Sequence, residues 1–485
     1  MKYKIYGLIT VLIGLIAAVY ATNLSEYRII GRVHQHKVEN PAANDKTDIE
    51  FSTHLPLIII DTKDNEEVPG VPLDKTDDNI CKYSMSKAGK SSVDCKIKII
   101  NNKDDYNHMG DTPELEVNSS IRVRGHSSRY FEKKNYLLRF KEGGNHVSHK
   151  VLGMDSHYEW ALHGPYLDKT LMRNYMWYNI SGEIMDYAPN VRFCEVVLND
   201  EYLGLYIINE TITDGEKNRI RLKTQEKSSA ATSYILRLDR KKPYTETVVD
   251  TFLNDIKFNE QQLDIKYPGK KTLTKEQLNF IKNDFSDFEK KLFSYDYDTN
   301  IHGYWKDINL KNFADYYIIN EFTGNLDAGL YSTYIYRNLG GKFNKVVWDF
   351  NSCCDNYIET YDDGETFNPE RNVWDYMLFK DERFTNFVIE RYKKLRKTSL
   401  SEDYLLNYID EVKEYLGPAV NRNFEVWGDT FDKNLLIPKE RDLKSYDDAI
   451  EQYKNYIIKR GRWMDEHIDV LQQYSHESHV KEFNH

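Results

Sequence analysis

The hydrophobic period of this chain changes once, near Thr274, and that change limits what it can fold into. Before it, LPLIIID (residues 55–61), CKIKII (95–100) and SIRVRG (120–125) are short apolar or alternating runs between charged turns, the pattern of strands. VRFCEVVLNDEYLGLYIINETI reads as a hairpin turning on Asn199-Asp200, and TSYILRLDRK adds a further strand. One helical stretch interrupts them: within 168–187, Leu171, Met172, Tyr175, Met176, Tyr178 and Ile180 form a broad apolar stripe. After Thr274, KEQLNFIKNDFSDFEKKLF and LKNFADYYIINEFTGNLD carry the helical period, and beyond Phe379 the chain reads as almost wholly helical to about Leu471. A small hairpin, YSTYIYRN with NKVVWDF around Leu339-Gly340-Gly341, is set among those helices. Strands first and helices second is the layout of an α+β protein.

At 485 residues the chain is long enough for two or three units, and its 40% apolar content supplies a sizeable core. The divisions read from it are 1–22 as a signal peptide or membrane anchor, 23–50 as a polar linker, 51–118 as a β-rich extension, 119–270 as a β-rich lobe and 271–475 as a helical lobe. Two lysines, Lys2 and Lys4, precede an uncharged apolar run at residues 5–21. A run of 17 residues is near the lower limit of roughly 17–25 for a spanning helix, and Val19-Tyr20-Ala21 also suits signal cleavage. Either reading exports the rest of the chain, as an anchored or a secreted protein. A net charge of -11 argues against nucleic acid as the main partner, because phosphate neutralisation needs a basic face. Five cysteines make no disulfide framework. Cys81 and Cys95 could pair, Cys194 reads as a buried thiol, and no ligand spacing for structural zinc is present.

Three places could carry chemistry. In KVVWDFN, a strand delivers Asp349 between two aromatic residues, where a carboxylate must be paired, hydrogen-bonded or holding a cation; a plain turn is the alternative. In NEFTGNLDAGLYSTYIY, Asp327 follows a helix end and could take a proton from an attacking hydroxyl, or simply close an Asx turn. The two acids bracket one small hairpin, 22 residues apart, and could share a cation such as Mg²⁺, which takes one or two carboxylates plus phosphate oxygens. In VRGHSSRYFEKKNYLLRF, the turn with Gly125, Ser127 and Ser128 can present N–H groups and hydroxyls to an anion, with Lys133 or Lys134 reaching a phosphate oxygen. A solvated basic hairpin is the competing reading.

IRVRGHSSRYFEKKNYLLRF, WALHGPYLDKTLMRNYM, LNDEYLGLYIINE and NLD…VVWDF, in that order, resemble the CotH family of spore-coat and related secreted proteins over roughly residues 119–360. The resemblance implies a diverged protein-kinase-like fold with a β-rich N-terminal lobe and a mainly helical C-terminal lobe. It also implies ATP with Mg²⁺ or Mn²⁺, and phosphorylation of serine or threonine on spore- or cell-surface proteins. It assigns Asp327 as the catalytic aspartate, Asp349 and Asn351 to the metal, and Arg124, Ser127, Ser128, Lys133 and Glu210 to the nucleotide. Asp168 and Arg173 match a helix motif of structural character. Tyr331 and Ser332 stand where many relatives carry asparagines, and WDFN stands where many carry WDFD or WDLD. A non-catalytic assembly protein of coat or envelope is the second expectation, and a carboxylate-pair hydrolase of wall polysaccharide the third.

Overall fold

A computed structural model describes residues 32–38, 51–73, 82–103, 105–223, 228–241, 246–256, 261–368 and 372–477. Seven strands of the first half close into a barrel: β1 (Leu57–Thr62), β2 (Val93–Ile100), β3 (Leu115–Arg124), β4 (Asn135–Glu142), β5 (Glu159–His163), β6 (Val191–Leu198) and β7 (Glu201–Glu210). Their order around the wall is β5-β7-β6-β1-β2-β3-β4, and β4 pairs back onto β5 to complete the ring. All neighbours are antiparallel except β6 and β1, which run parallel with Glu195 opposite Leu57. Closure leaves the barrel strands with no free edge.

The alternation read from the sequence is real where a strand faces solvent. In β2, Val93, Cys95, Ile97 and Ile99 point into the barrel core while Asp94, Lys96 and Lys98 point outward. β6 and β7 lie between two cores, so their alternation is hidden in continuous apolar sequence. Cys194, Val196, Tyr206 and Ile208 fill the barrel, whereas Phe193, Leu205 and Ile207 face the helices. Each large apolar side chain buried this way is worth roughly 1.5–3 kcal/mol. Asn199 and Asp200 both take left-handed φ, +50° and +64°, as the expected two-residue hairpin turn demands.

α1 (Arg173–Ile184) packs against the outside of this wall. A second, five-stranded antiparallel sheet follows: β8 (Tyr234–Asp239), β9 (Val248–Val249), β10 (Gln262–Tyr267), β11 (Thr333–Arg337) and β12 (Phe343–Val346), in the order β9-β10-β8-β11-β12. α2 (Lys275–Phe293) and α3 (Leu310–Phe322) lie between its strands in sequence. After it come α4 (Val373–Phe379), α5 (Glu382–Leu395), α6 (Glu402–Leu416), α7 (Pro418–Trp427) and α8 (Tyr446–His467). Residues from Val33 onward form one compact unit.

This architecture corrects the expected kinase-like pair of lobes. The β-rich half is a closed barrel, and a second sheet joins strands from both sides of residue 270. Residues 51–118, read as an extension, supply β1, β2 and the first four residues of β3 to the barrel. Sequence period identifies strands but not their partners, so neither the β4–β5 closure nor the β8–β11 pairing was legible. The expected anchor at residues 5–21 lies outside the described residues, as does Cys81; among the described residues no helix is long and apolar enough to cross a membrane. Cys95 and Cys194 are buried free thiols.

Candidate functional site

Three strand ends meet at one edge of the second sheet. β8 runs antiparallel to β11 with Leu238 opposite Thr333, so its final residue, Asp239, lies beside the turn that precedes β11. β12 runs antiparallel to β11 with Tyr334 opposite Val346, so the chain leaving β12 returns to the same edge. Asp327 is in the turn before β11 and Asp349 follows β12. The topology thus brings the segments bearing Asp239, Asp327 and Asp349 to the same end of the sheet.

The turn carrying Asp327 is rigidly placed. α3 ends at Phe322, and Gly324 takes φ +56° where an added Cβ would lie 2.0 Å from Asp362 Oδ2 and 2.2 Å from Tyr456 Oη, so only glycine fits. A buried ion pair, Arg460 to Glu321 at 2.7 Å, locks that helix end to α8. Leu330 and Tyr331 donate their N–H groups to the Asp327 carbonyl at 3.0 and 2.8 Å. Asn325 donates through Nδ2 to the Asp349 carbonyl at 3.3 Å, joining the two acid-bearing segments.

Asp349 is placed by its flanks. Val346, Val347 and Phe350 are buried in the main core. The Asp349 N–H donates to Tyr178 Oη at 3.1 Å and the Phe350 N–H to Asn174 Oδ1 at 2.6 Å, both acceptors on α1. That helix is fixed in turn by the buried Asp168–Arg173 ion pair and by Arg173 Nε donating to the Cys353 carbonyl at 3.1 Å. The helix motif of Asp168 and Arg173 therefore acts as a brace for the WDF segment. Asp349 itself adopts φ +62°, a left-handed conformation uncommon outside glycine, asparagine and aspartate.

Burial, and secondarily the charge of Asp327, push the Asp349 carboxyl up to about 6. Arg124 works against that rise, Asp239 adds to it, and the Asn351 N–H bonds the carboxylate and lowers it. The turn considered from sequence for Asp349 is thus present, and it coexists with the neighbouring charge of Asp327. Arg124, at the end of β3, lays its guanidinium 5.2 Å over the Trp348 ring and so connects the barrel to the site. On the other side, Arg240 stacks 3.6 Å over Tyr331 and reaches to 4.0 Å from Asp327 Oδ1.

Arg124, Asp327, Asp349 and Asn351 are therefore brought together, whereas Lys133 and Glu210 take separate partners. Lys133 Nζ donates to the Leu205 carbonyl at 2.7 Å and to Asn423 Oδ1 at 2.6 Å, and the residue is 1% exposed. Burial pulls this ammonium well below the usual lysine range. β4 begins only at Asn135, so strand alternation does not extend back to Lys133 and Lys134. Lys134 caps the preceding turn through the Arg129 carbonyl at 2.9 Å. Glu210 accepts from Tyr187 Oη and the Asn190 N–H and lies 3.5 Å from the Arg219 guanidinium, with both charges buried. Ser127 and Ser128 sit in a single helical turn; Gly125, at φ +110°, leaves the space that Ser128 Oγ occupies. Asn351 points its amide at Ser352 Oγ, 3.2 Å away.

Lys133→Met should thus act first on stability. It strips the donor from two buried acceptors at the barrel–α7 contact, which costs about 1–3 kcal/mol per unsatisfied group. Urea unfolding of Lys133→Met and Lys134→Met measures this; equal midpoints for the two would contradict it.

A family model described as CotH kinase protein matches residues 121–464. The chain belongs to the CotH kinase family. A search of curated proteins found no match. The matched span covers β3 to α8, so the turn of Gly125, the α1 brace and both acids of this CotH family member lie within it. Among the described residues no three His, Cys, Asp or Glu side chains are gathered as a self-contained metal site. The neighbouring carboxylates of Asp327 and Asp349 are of the donor type that Mg²⁺ or Mn²⁺ takes alongside phosphate oxygens and water. Sequence reasoning missed Asp239 and Arg240. Their only signal was the polar Asp-Arg step ending an otherwise apolar strand in YILRLDR.

Proposed function

We propose that this edge of the second sheet transfers the γ-phosphoryl group of ATP to a serine or threonine hydroxyl on a protein. The observation that carries the reading is the pairing of Asp327 and Asp349 at one sheet edge, with an aromatic-stacked arginine beside each acid. Phosphoryl transfer needs little covalent help from the protein; it needs positioned cations around the phosphate and a group that orients the acceptor. Asp349, with Asn351 next to it, is suited to hold a divalent cation, which when bound neutralises phosphate charge. Asp327 is suited to receive the acceptor's proton. Arg124 is placed to face phosphate from the barrel side, with Ser127 and Ser128 on the turn that follows it. Family membership supports an acceptor on the spore or cell surface.

A non-catalytic assembly role is the second reading, favoured by Lys133, whose ammonium is already satisfied by protein acceptors. One measurement separates them. Purified protein is incubated with γ-labelled ATP, Mn²⁺ or Mg²⁺ and a surface-protein extract, and label is followed into protein. Metal-dependent labelling is the expected result. ATP binding without any transfer would favour the assembly role, and no binding with either metal would end the kinase reading.

A further inference from the structure

Arg240 has a chemistry that the Asp327–Asp349 pair does not account for. Its N–H is fixed by Asp239 Oδ1 at 3.0 Å, so its backbone is held at the end of β8. Its guanidinium lies flat on Tyr331, 3.6 Å from the ring centroid, and Tyr331 is tied to Asp327 through the backbone bond at 2.8 Å. Among the described residues no side-chain hydrogen bond engages that guanidinium; its nearest charge is Asp327 at 4.0 Å, longer than a hydrogen bond. The side chain is 32% exposed and so reaches solvent at the site. Arg237, within β8 itself, differs: its two terminal nitrogens are 3.3 and 3.5 Å from Asp239 and Asp264. Arg240, just past the end of β8, is thus the arginine with donors to spare, and a stacked guanidinium presents those donors as a planar fork that matches phosphate oxygens.

We propose that Arg240, held on Tyr331, contacts the transferring phosphoryl group from the Asp327 side of the site. The inference rests on the phosphotransferase reading and adds to it a residue and a role for Tyr331. In the step, the acceptor hydroxyl oxygen bonds to the γ-phosphorus. The bond from that phosphorus to the β–γ bridging oxygen breaks, with its electron pair leaving on ADP, and the hydroxyl proton passes to Asp327. Charge on the equatorial oxygens is then in flight between donor and acceptor, where a fixed fork is worth more than in the ground state. Tyr331 supplies the flat shelf that keeps the fork oriented.

The test uses the parent protein, Arg240→Ala, Arg240→Lys and Tyr331→Leu, with melting temperature as a check on folding. Three quantities are compared: affinity for ATP with Mn²⁺, affinity for ADP with Mn²⁺ and aluminium fluoride as a mimic of the phosphoryl in flight, and rate of label transfer. Arg240→Ala is expected to bind ATP within about threefold of the parent and to lose transfer by on the order of 10²–10³-fold, as when one charge-stabilising donor is removed. It should lose the fluoride complex to a similar degree. Arg240→Lys should not restore either, because a point charge lacks the fork, and Tyr331→Leu should fall between. Parent-like fluoride affinity and rate in Arg240→Ala, or an equal loss of ATP and fluoride affinity, would overturn the inference alone. A parent that binds neither ATP nor the fluoride complex would overturn the phosphotransferase reading and the inference with it.

Discussion

Asp349→Asn is expected to abolish metal-dependent ATP binding and, at the same time, to stabilise the metal-free protein at neutral pH. The two effects have one cause. Burial and the Asp327 charge raise the native Asp349 carboxyl to about 6, against an ordinary value of 3.8. The native state therefore holds a proton that the unfolded state has released between those two values. Stability contributed by this group is full below about pH 4, falls as pH rises through 6, and the whole cost stands above that. Two units correspond to on the order of 2–3 kcal/mol. Asparagine keeps the shape, tolerates φ +62° and can still accept the Asn351 N–H, but carries no charge to repel Asp327. A divalent cation relieves the same repulsion in the parent, and the variant loses that ligand. Thermal denaturation at pH 5 and pH 7.5, with and without Mn²⁺ and ATP, checks both halves. If the variant gains as much from Mn²⁺ and ATP as the parent does, Asp349 is a turn-forming residue and no more.

Asp327→Ala should fail in a different way. Its carboxylate is 25% exposed at the site, and its backbone carbonyl closes the turn. Removing the side chain leaves that turn and the Asn325 staple to Asp349 in place. ATP and metal binding should survive, and phosphoryl transfer should drop by about 10²–10⁴-fold, the usual contribution of a positioned general base. Single-turnover transfer with labelled ATP, alongside calorimetric ATP binding, reads the two separately. A variant that transfers at the parent rate would remove Asp327 from the chemistry, and one that no longer binds ATP would make it a nucleotide ligand.

Local chemistry explains what the sequence by itself determined. Alternating Val93 to Ile99 could only be a half-buried strand, Asn199-Asp200 a tight hairpin turn, and the apolar stripes of α2 and α3 amphipathic or buried helices. The placing of Asp327 and Asp349 at the two ends of one hairpin was legible too, because β11 and β12 are neighbours in sequence. Arg124 was named from its motif, and the four ordered motifs led to the family.

Tertiary structure decided the rest, and the reason is the same each time: the deciding contacts join residues far apart in the chain. The parallel pairing of β1 with β6 and the return of β4 onto β5 turn separate strands into a closed barrel, where two lobes were expected. Lys133 looked like a phosphate ligand, yet it is consumed by Leu205 and Asn423, the second of them 290 residues away. Glu210 likewise belongs to Arg219 and Tyr187. Asp239 and Arg240 reach the site because β8 pairs with β11 across nearly a hundred residues, and no short-range pattern encodes that partnership. A local pattern fixes which way a side chain can point; only the assembled sheet fixes what it meets.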